Sequence, residues 1–347
     1  MIRLARPDRT TPLVVVSLLA AAALVAACSP STGALGTPAT PEPTADQSVP
    51  VPSDDATPDL SSPSPTDSTS PASPDSSKSS GPSATPAVTP APTSIASGTT
   101  IVRAYFVLGS FTGNEGQVPV LREVTQTKAV ATAAVRALLE GPSATEMAAS
   151  PAMYTAIPDG TTLLGLTITD GIAAVNLSRE FESGGGSESM FQRLGQVVFT
   201  LTQFSTVDGV RFELDGTPTT TFGGEGVTFP PDGRPIVRSD FRDQLPAIFV
   251  DRPAWGASLG NPGTVTGLAN VFEATFRMEL RDAGGVTLAA RQVMASCGTG
   301  CWGDFRTTLS YTVTKALWGT LRVYDLSAKD GSVENLTEYR VWLTPAG

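Results

Sequence analysis

The chain has 347 residues, 33 of them acidic and 23 basic, and it contains no histidine. A net charge of −10 leaves few cations to neutralise phosphates, which argues against nucleic acid as a partner. The missing histidine removes Ser-His and Cys-His catalysis and most zinc sites, so neither a metal nor a cofactor is expected.

Residues 1–27 read as an export signal: Arg3, Arg6 and Arg9 precede an apolar run from Leu13 to Ala27. That run is shorter than the roughly 20 residues a spanning helix needs. Val25-Ala26-Ala27-Cys28 is similar to the bacterial lipobox, in which the cysteine is lipidated after cleavage. Cys28 is therefore the expected membrane anchor, and the protein is expected on the outer face of the cell membrane. Cleavage removes three arginines and one aspartate, leaving 20 basic and 32 acidic residues and a mature net charge of −12.

Residues 28–98 are rich in Pro, Ser, Thr and Ala with almost nothing to bury, the composition of a disordered tether. At about 3.1 Å per residue its extended reach is on the order of 200 Å. In an exported chain disulfides persist, and with Cys28 committed to lipid only Cys297 and Cys301 remain. The turn-like Gly298-Thr299-Gly300 between them favours a structural staple over a redox pair. So small a ring contributes only roughly 2 kcal/mol, so its expected role is to fix one loop.

Globular patterning begins at Thr99. Residues 99–220 open with two β-rich runs, TTIVRAYFVLGS and VPVLREVTQ, followed by KAVATAAVRALLEGP, where Val130, Ala134, Val135, Leu138 and Leu139 share one helical face. Ser143 and Glu146 have capping-box spacing for a further short helix ending by Pro151. Asp170-Gly171 predicts a hairpin turn. Ser187 is the expected cap of a helix whose buried stripe is Met190, Leu194, Val197, Val198, Leu201 and Phe204. Strands interleaved with two helices predict an α+β domain of one sheet and one helical layer.

Residues 221–244 read as a late hairpin and connector. From 245 to 347 helical periodicity disappears, and seven short β-rich runs between turn residues predict an antiparallel immunoglobulin-like β-sandwich. Trp255, Trp302, Trp318 and Trp342 all fall here; some are expected to fill the sandwich core, and Trp302 to be partly exposed.

The ordered pattern ALLEGPS, AIPDGTTLLGLTITDGIAAVNLSREFESGGGSESMFQRLGQVVFTLTQF, VRFELDG resembles the GerMN domain of bacterial sporulation and spore-germination proteins. The segments VFEATFRMELRDAGGVTLAARQVMASCGTGCWGDF and GTLRVYDLSAKDGS are similar to the immunoglobulin-like domain that accompanies GerMN in many Gram-positive lipoproteins. This resemblance implies a non-catalytic envelope protein whose relatives take part in assembling complexes outside the membrane.

Gly184, Gly185, Gly186 and Ser187 precede a helix and form a candidate anion-binding turn, but Glu180, Glu182 and Glu188 surround them and the P-loop ending is absent. Trp302 is a candidate contact for a protein or glycan. Ser327 with Lys329 reads as a solvated turn. Glu273 with Asp304, or Asp325 with Glu334, are the carboxylate pairs that glycan cleavage would need. Two functions are weighed: a lipid-anchored binding or assembly module with an envelope protein or a second copy as partner, or an envelope enzyme acting on cell-wall glycan. Peptidoglycan is a further candidate partner. Recognition is expected in the first domain, since helices over one sheet face leave the other face and the edge strands available unless the second domain covers them. On that reading residues 99–220 alone should self-associate or capture an envelope protein, and residues 245–347 should not.

Overall fold

The computed structural model describes residues 98–110, 112–113, 115–224 and 226–346. The export signal, Cys28 and the tether lie outside these residues.

The α+β class expected for the first domain is observed, but its strands divide between two sheets. β1 (Thr99–Leu108) and β2 (Gly116–Thr125) form a ten-pair antiparallel hairpin, extended by β3 (Met153–Tyr154) on the far side of β1. Between β2 and β3 in sequence lie α1 (Val130–Leu139) and the single turn α2 (Ala144–Met147). Ser143 and Glu146 close a capping box on α2, and the Glu146 carboxylate also receives both terminal nitrogens of Arg122, at 2.6 and 2.7 Å. That fork ties the turn to β2. The helix ends at Met147, before Pro151.

The second sheet has the order β4 (Leu163–Thr169), β5 (Ile172–Leu177), β6 (Gly209–Leu214), β7 (Thr217–Thr219). The β4–β5 hairpin turns at Asp170 and Gly171, both at positive φ (51° and 78°), a conformation Gly adopts freely and Asp tolerates. Asp215 and Gly216 repeat the device between β6 and β7. Helix α3 (Ser187–Leu201) crosses from β5 to a parallel β6 and packs on β1, β2, β6 and α1. Its apolar stripe from Met190 to Leu201 is buried as expected, while Phe204 falls beyond the helix end and is half-buried; Arg193, Gln196 and Thr200 on other faces are buried as well. A helix enclosed on several sides needs internal partners for these polar groups, and it has them. This is why the layering departs from one sheet under one helical layer.

A small hairpin, β8 (Thr221–Phe222) with β9 (Val227–Thr228), and a 3-10 segment, Arg238–Gln244, lead into the second domain. There a three-stranded sheet, β10 (Ile248–Arg252), β12 (Gly263–Ala269), β15 (Gly303–Leu309), faces a five-stranded one. The larger sheet runs β11 (Ser258–Leu259), β17 (Val333–Leu343), β16 (Leu317–Leu326), β13 (Thr275–Asp282), β14 (Thr287–Met294). Phe276 meets Phe305 edge-on at 4.9 Å, and Met278, Leu321, Val323, Tyr339 and Val341 fill the space around them. The immunoglobulin-like sandwich is thus present. Its core is built from Phe, Tyr and aliphatic residues, which corrects the expectation that tryptophans fill it: Trp302, Trp318 and Trp342 are only half-buried, and Trp255 is buried against the first domain.

Candidate functional site

The two domains share one continuous apolar core, in which Phe199 of α3 lies between Tyr105, Phe241 and Phe249. Beside it sits a polar junction. Asp251 on β10 accepts from Arg103 Nη1 at 2.8 Å, from the Tyr105 hydroxyl at 2.9 Å and from Arg238 Nη2 at 3.2 Å. The Tyr339 hydroxyl accepts the Val250 N–H at 3.0 Å. Burial would raise the Asp251 pKa, but Arg103 and Arg238 outweigh it and hold the carboxyl below its ordinary range. Burial of the Tyr105 phenol pushes it up to about 12 despite Arg238 nearby. The cluster has no acidic or basic group poised near neutrality; it fixes one domain on the other.

Both sides of the first sheet are partly covered. On the free part of the β1 edge, Thr200 Oγ1 accepts the Tyr105 N–H, Gln196 Nε2 donates to the Tyr105 carbonyl, and the Gln203 amide serves both the N–H and the carbonyl of Arg103. The outer edge of β2 pairs with Trp255, which donates to the Pro119 carbonyl and accepts from Leu121. In the second sheet β4 is outermost, and among the described residues no strand pairs with its outer edge. It carries no charge and no proline, and Leu164 and Ile168 are 52% and 40% exposed.

A cleft of about 670 Å³ opens where α2 and the following Ala148–Pro151 segment face the outer side of β16 and β17. Cross-strand register places Trp318 opposite Trp342, Thr320 opposite Arg340 and Arg322 opposite Glu338 on that side. The Arg340 guanidinium lies 4.0 Å from the centre of the Trp318 ring and 5.8 Å from that of Trp255. Glu338 is taken by Arg322 at 2.7 Å.

Two family models match this chain. One, described as sporulation and spore germination, covers residues 103–220; the other, an immunoglobulin-like domain of bacterial spore germination, covers residues 247–332. The chain is a tandem of a GerMN-type domain and a Gmad2-type immunoglobulin-like domain. Among solved structures it is similar to the first GerMN domain of the sporulation protein GerM from Bacillus subtilis, at 20% identity over 41% of this chain and 99% of that one, with a TM-score of 0.33. It is also similar to the tandem GerMN domains of the same protein, at 16% identity over 61% of each chain, with a TM-score of 0.34. No curated protein matches.

In the GerMN-type domain, Gly184 and Gly185 have positive φ, Gly186 is the N-cap of α3 without a side-chain cap bond, and Ser187 is the first helical residue, which corrects its expected role as cap. The space beneath this turn holds Arg193. Its guanidinium donates to the carbonyls of Phe181, Ser183 and Gly184 and to Ser189 Oγ. A cation whose donors are spent on the loop's own carbonyls explains Gly185, where a Cβ would lie 2.7 Å from Ser189 Oγ and 2.8 Å from Arg193 Nη2. Of the three glycines it is Gly185 that accommodates Arg193.

In the Gmad2-type domain a disulfide joins Cys297 to Cys301, and the loop it closes is tied to one neighbour. Thr299 donates its N–H to the Val271 carbonyl and accepts the Glu273 N–H, and Gly300 donates to Asn270 Oδ1. Trp302 is half-buried against the core. The large apolar side chains that stand free at this end are Phe272 and Met294, 57% and 71% exposed, which sequence reasoning passed over. Asp325 and Glu334 are cross-strand partners at the end of the β16–β17 hairpin. Burial and the neighbouring Glu334 raise the Asp325 pKa against the hydrogen bond from Asn335. Neither residue lines the cleft above. Glu273 sits in the Val271–Thr275 turn and Asp304 on β15, each held by its own local bonds. Ser327 belongs to the turn closed by Asp330 and Ser332. Among the described residues no helix is long and apolar enough to cross a membrane.

Proposed function

We propose that this chain is a non-catalytic assembly module of the cell envelope, held at the outer face of the membrane by a lipid on Cys28, and that its GerMN-type domain docks a neighbouring subunit along β4. One contrast supports this reading. In the first sheet of that domain Gln196, Thr200 and Gln203 take up Arg103 and Tyr105 of β1, and Trp255 takes up Pro119 and Leu121 of β2, whereas β4 offers an unpaired edge with exposed Leu164 and Ile168. Unpaired apolar edges are what sheet proteins ordinarily blunt with charge or proline, and β4 carries neither. Strand addition along such an edge gives main-chain hydrogen bonds for affinity and alternate side chains for specificity.

The test is photo-crosslinking from position 167 in intact membranes, repeated with Ile168→Lys. A crosslinked species that disappears with the lysine supports docking at β4. Crosslinking that ignores the substitution removes this edge from the proposal, and release of soluble sugar from purified peptidoglycan by the whole protein replaces the module with an enzyme.

A further inference from the structure

In a chain of net charge −10, the outer face of the five-stranded sheet is cationic. Register places Arg277, Arg281, Arg322 and Arg340 on that face, against Glu279 and Glu338. The two glutamates are spent: Glu279 pairs with Arg281 and Arg322 and accepts the Tyr324 hydroxyl, and Glu338 pairs with Arg322. Arg277 is exposed and away from the cleft, and Arg340, which lines the cleft, is left over. Among the described residues no carboxylate lies within ion-pair distance of it, and its guanidinium donates no hydrogen bond. Burial lowers its pKa with no counter-charge to restore it. A half-buried arginine without an anion is held here by tryptophan rings, beside a cleft of about 670 Å³ that it lines.

We infer that this cleft is a binding site for the terminal carboxylate of a peptide ending in small apolar residues, taken by the fork of Arg340. The guanidinium offers parallel N–H donors that match a carboxylate, and stacking on Trp318 holds the fork in one plane. Among the described residues that line the cleft the one cation is Arg340, which suits a monoanion. The opposite wall, with Ala148, Ala149 and Pro151, is apolar and admits methyl-sized side chains; Thr145 and Thr320 supply hydroxyls for a peptide group. A sugar acid fits less well, because ring stacking needs an open aromatic face, whereas Arg340 covers one face of Trp318 and Trp255 is buried. Outside the membrane two sources present this chemistry, the alanine-ended stem peptides of the cell wall and the C-terminus of a protein. The inference does not depend on docking at β4, since the cleft and that edge share no residue.

Calorimetry on the full chain in detergent tests it, with N-acetyl-Ala-Ala in the L,L and D,D forms, the L,L amide, N-acetylmuramic acid and inorganic phosphate as probes. The free acid is expected to bind saturably and the amide about tenfold to a hundredfold more weakly, the range of a charge-assisted contact. Arg340→Gln should bring acid and amide to the same level, and Arg340→Lys should keep part of the difference, since lysine retains charge without the fork. Ala148→Phe on the exposed opposite wall fills the cleft without touching Arg340, and should abolish binding in a protein with an unchanged melting curve. Preference for the D,D form assigns wall peptides, and preference for the L,L form a protein terminus. Equal binding of acid and amide, no saturable binding of either, or tighter binding of phosphate or N-acetylmuramic acid overturns the inference.

Discussion

Replacing Asp251 by alanine probes the junction between the domains directly. The substitution leaves Arg103, Arg238 and the Tyr105 hydroxyl facing a vacated acceptor site beside the shared core. Removing one partner of a fully buried ion pair costs ~3–5 kcal/mol. The side chains of Arg103 and Asp251 keep 14% and 26% exposure, so water relieves part of that cost and the expected loss is ~2–4 kcal/mol. Asp251→Asn keeps the shape and one acceptor oxygen and should cost about 1–2 kcal/mol. Urea unfolding read by tryptophan fluorescence and by far-ultraviolet circular dichroism is the assay. All four tryptophans lie in the Gmad2-type domain, whereas the three α-helices of the described residues lie in the other. The continuous core predicts that both signals change in a single coincident transition, and that the alanine variant moves it to lower urea. A shift below about 0.5 kcal/mol, the scale of an ordinary surface change, or separate transitions in the unaltered protein, would refute the reasoning.

Acid should destabilise the protein as pH falls through the folded-state pKa of Asp251, and of Asp240 and Glu279, all held below their ordinary values against the cost of burial; their stabilisation is complete above those ordinary values, and pH-resolved unfolding midpoints check this. Asp325 has the opposite sign, because its raised pKa favours folding as pH falls, so Asp325→Asn should be neutral or stabilising at pH 7 when measured by thermal melting. Gln196→Leu orphans the buried Tyr105 carbonyl and Ala156 N–H and should cost ~2–4 kcal/mol in urea unfolding. Cys297→Ala with Cys301→Ala should cost only roughly 2 kcal/mol, with faster amide exchange confined to residues 270–275 and 296–303. Cys28→Ala should move the protein from the membrane fraction to the soluble or uncleaved pool, read by fractionation and intact mass.

Much of the fold is legible because its signals are local. Asp170-Gly171 specifies its turn within two residues, Ser143 and Glu146 cap α2 within four, and all seven strands expected after residue 245 are present, with a short parallel β11 added. The helix cap at Ser187 misleads by one position because the helix starts from Gly186, at the end of a turn whose carbonyls serve Arg193, a partner inside the helix. The cover on the β1 edge escapes the sequence for a different reason. Gln196, Thr200 and Gln203 have the polarity of a solvent face, and their partners lie 91 to 100 residues earlier. Only the tertiary fold turns polar side chains into substitutes for a neighbouring strand.

The Arg340 cleft was partly readable. Alternation in GTLRVYDLS and YRVWL sends Leu321, Val323, Tyr339, Val341 and Leu343 to the core, and therefore Trp318, Thr320, Arg322, Glu338, Arg340 and Trp342 to the other face. Treating tryptophan as core by type overrides that period and hides the site. What alternation cannot supply is the opposite wall, since Ala148 and Pro151 come from the other domain. The same dependence bears on how recognition is assigned. Residues 99–220 alone would lack Ile236, Phe241, Phe249 and Trp255, which complete the core and partly cover the β2 edge. Self-association of that fragment would then report surface exposed by the cut as readily as docking along β4. Because each half supplies a wall or an edge to the other, recognition has to be mapped by point substitutions, at Ile168 for the edge and at Arg340 for the cleft, in the intact chain.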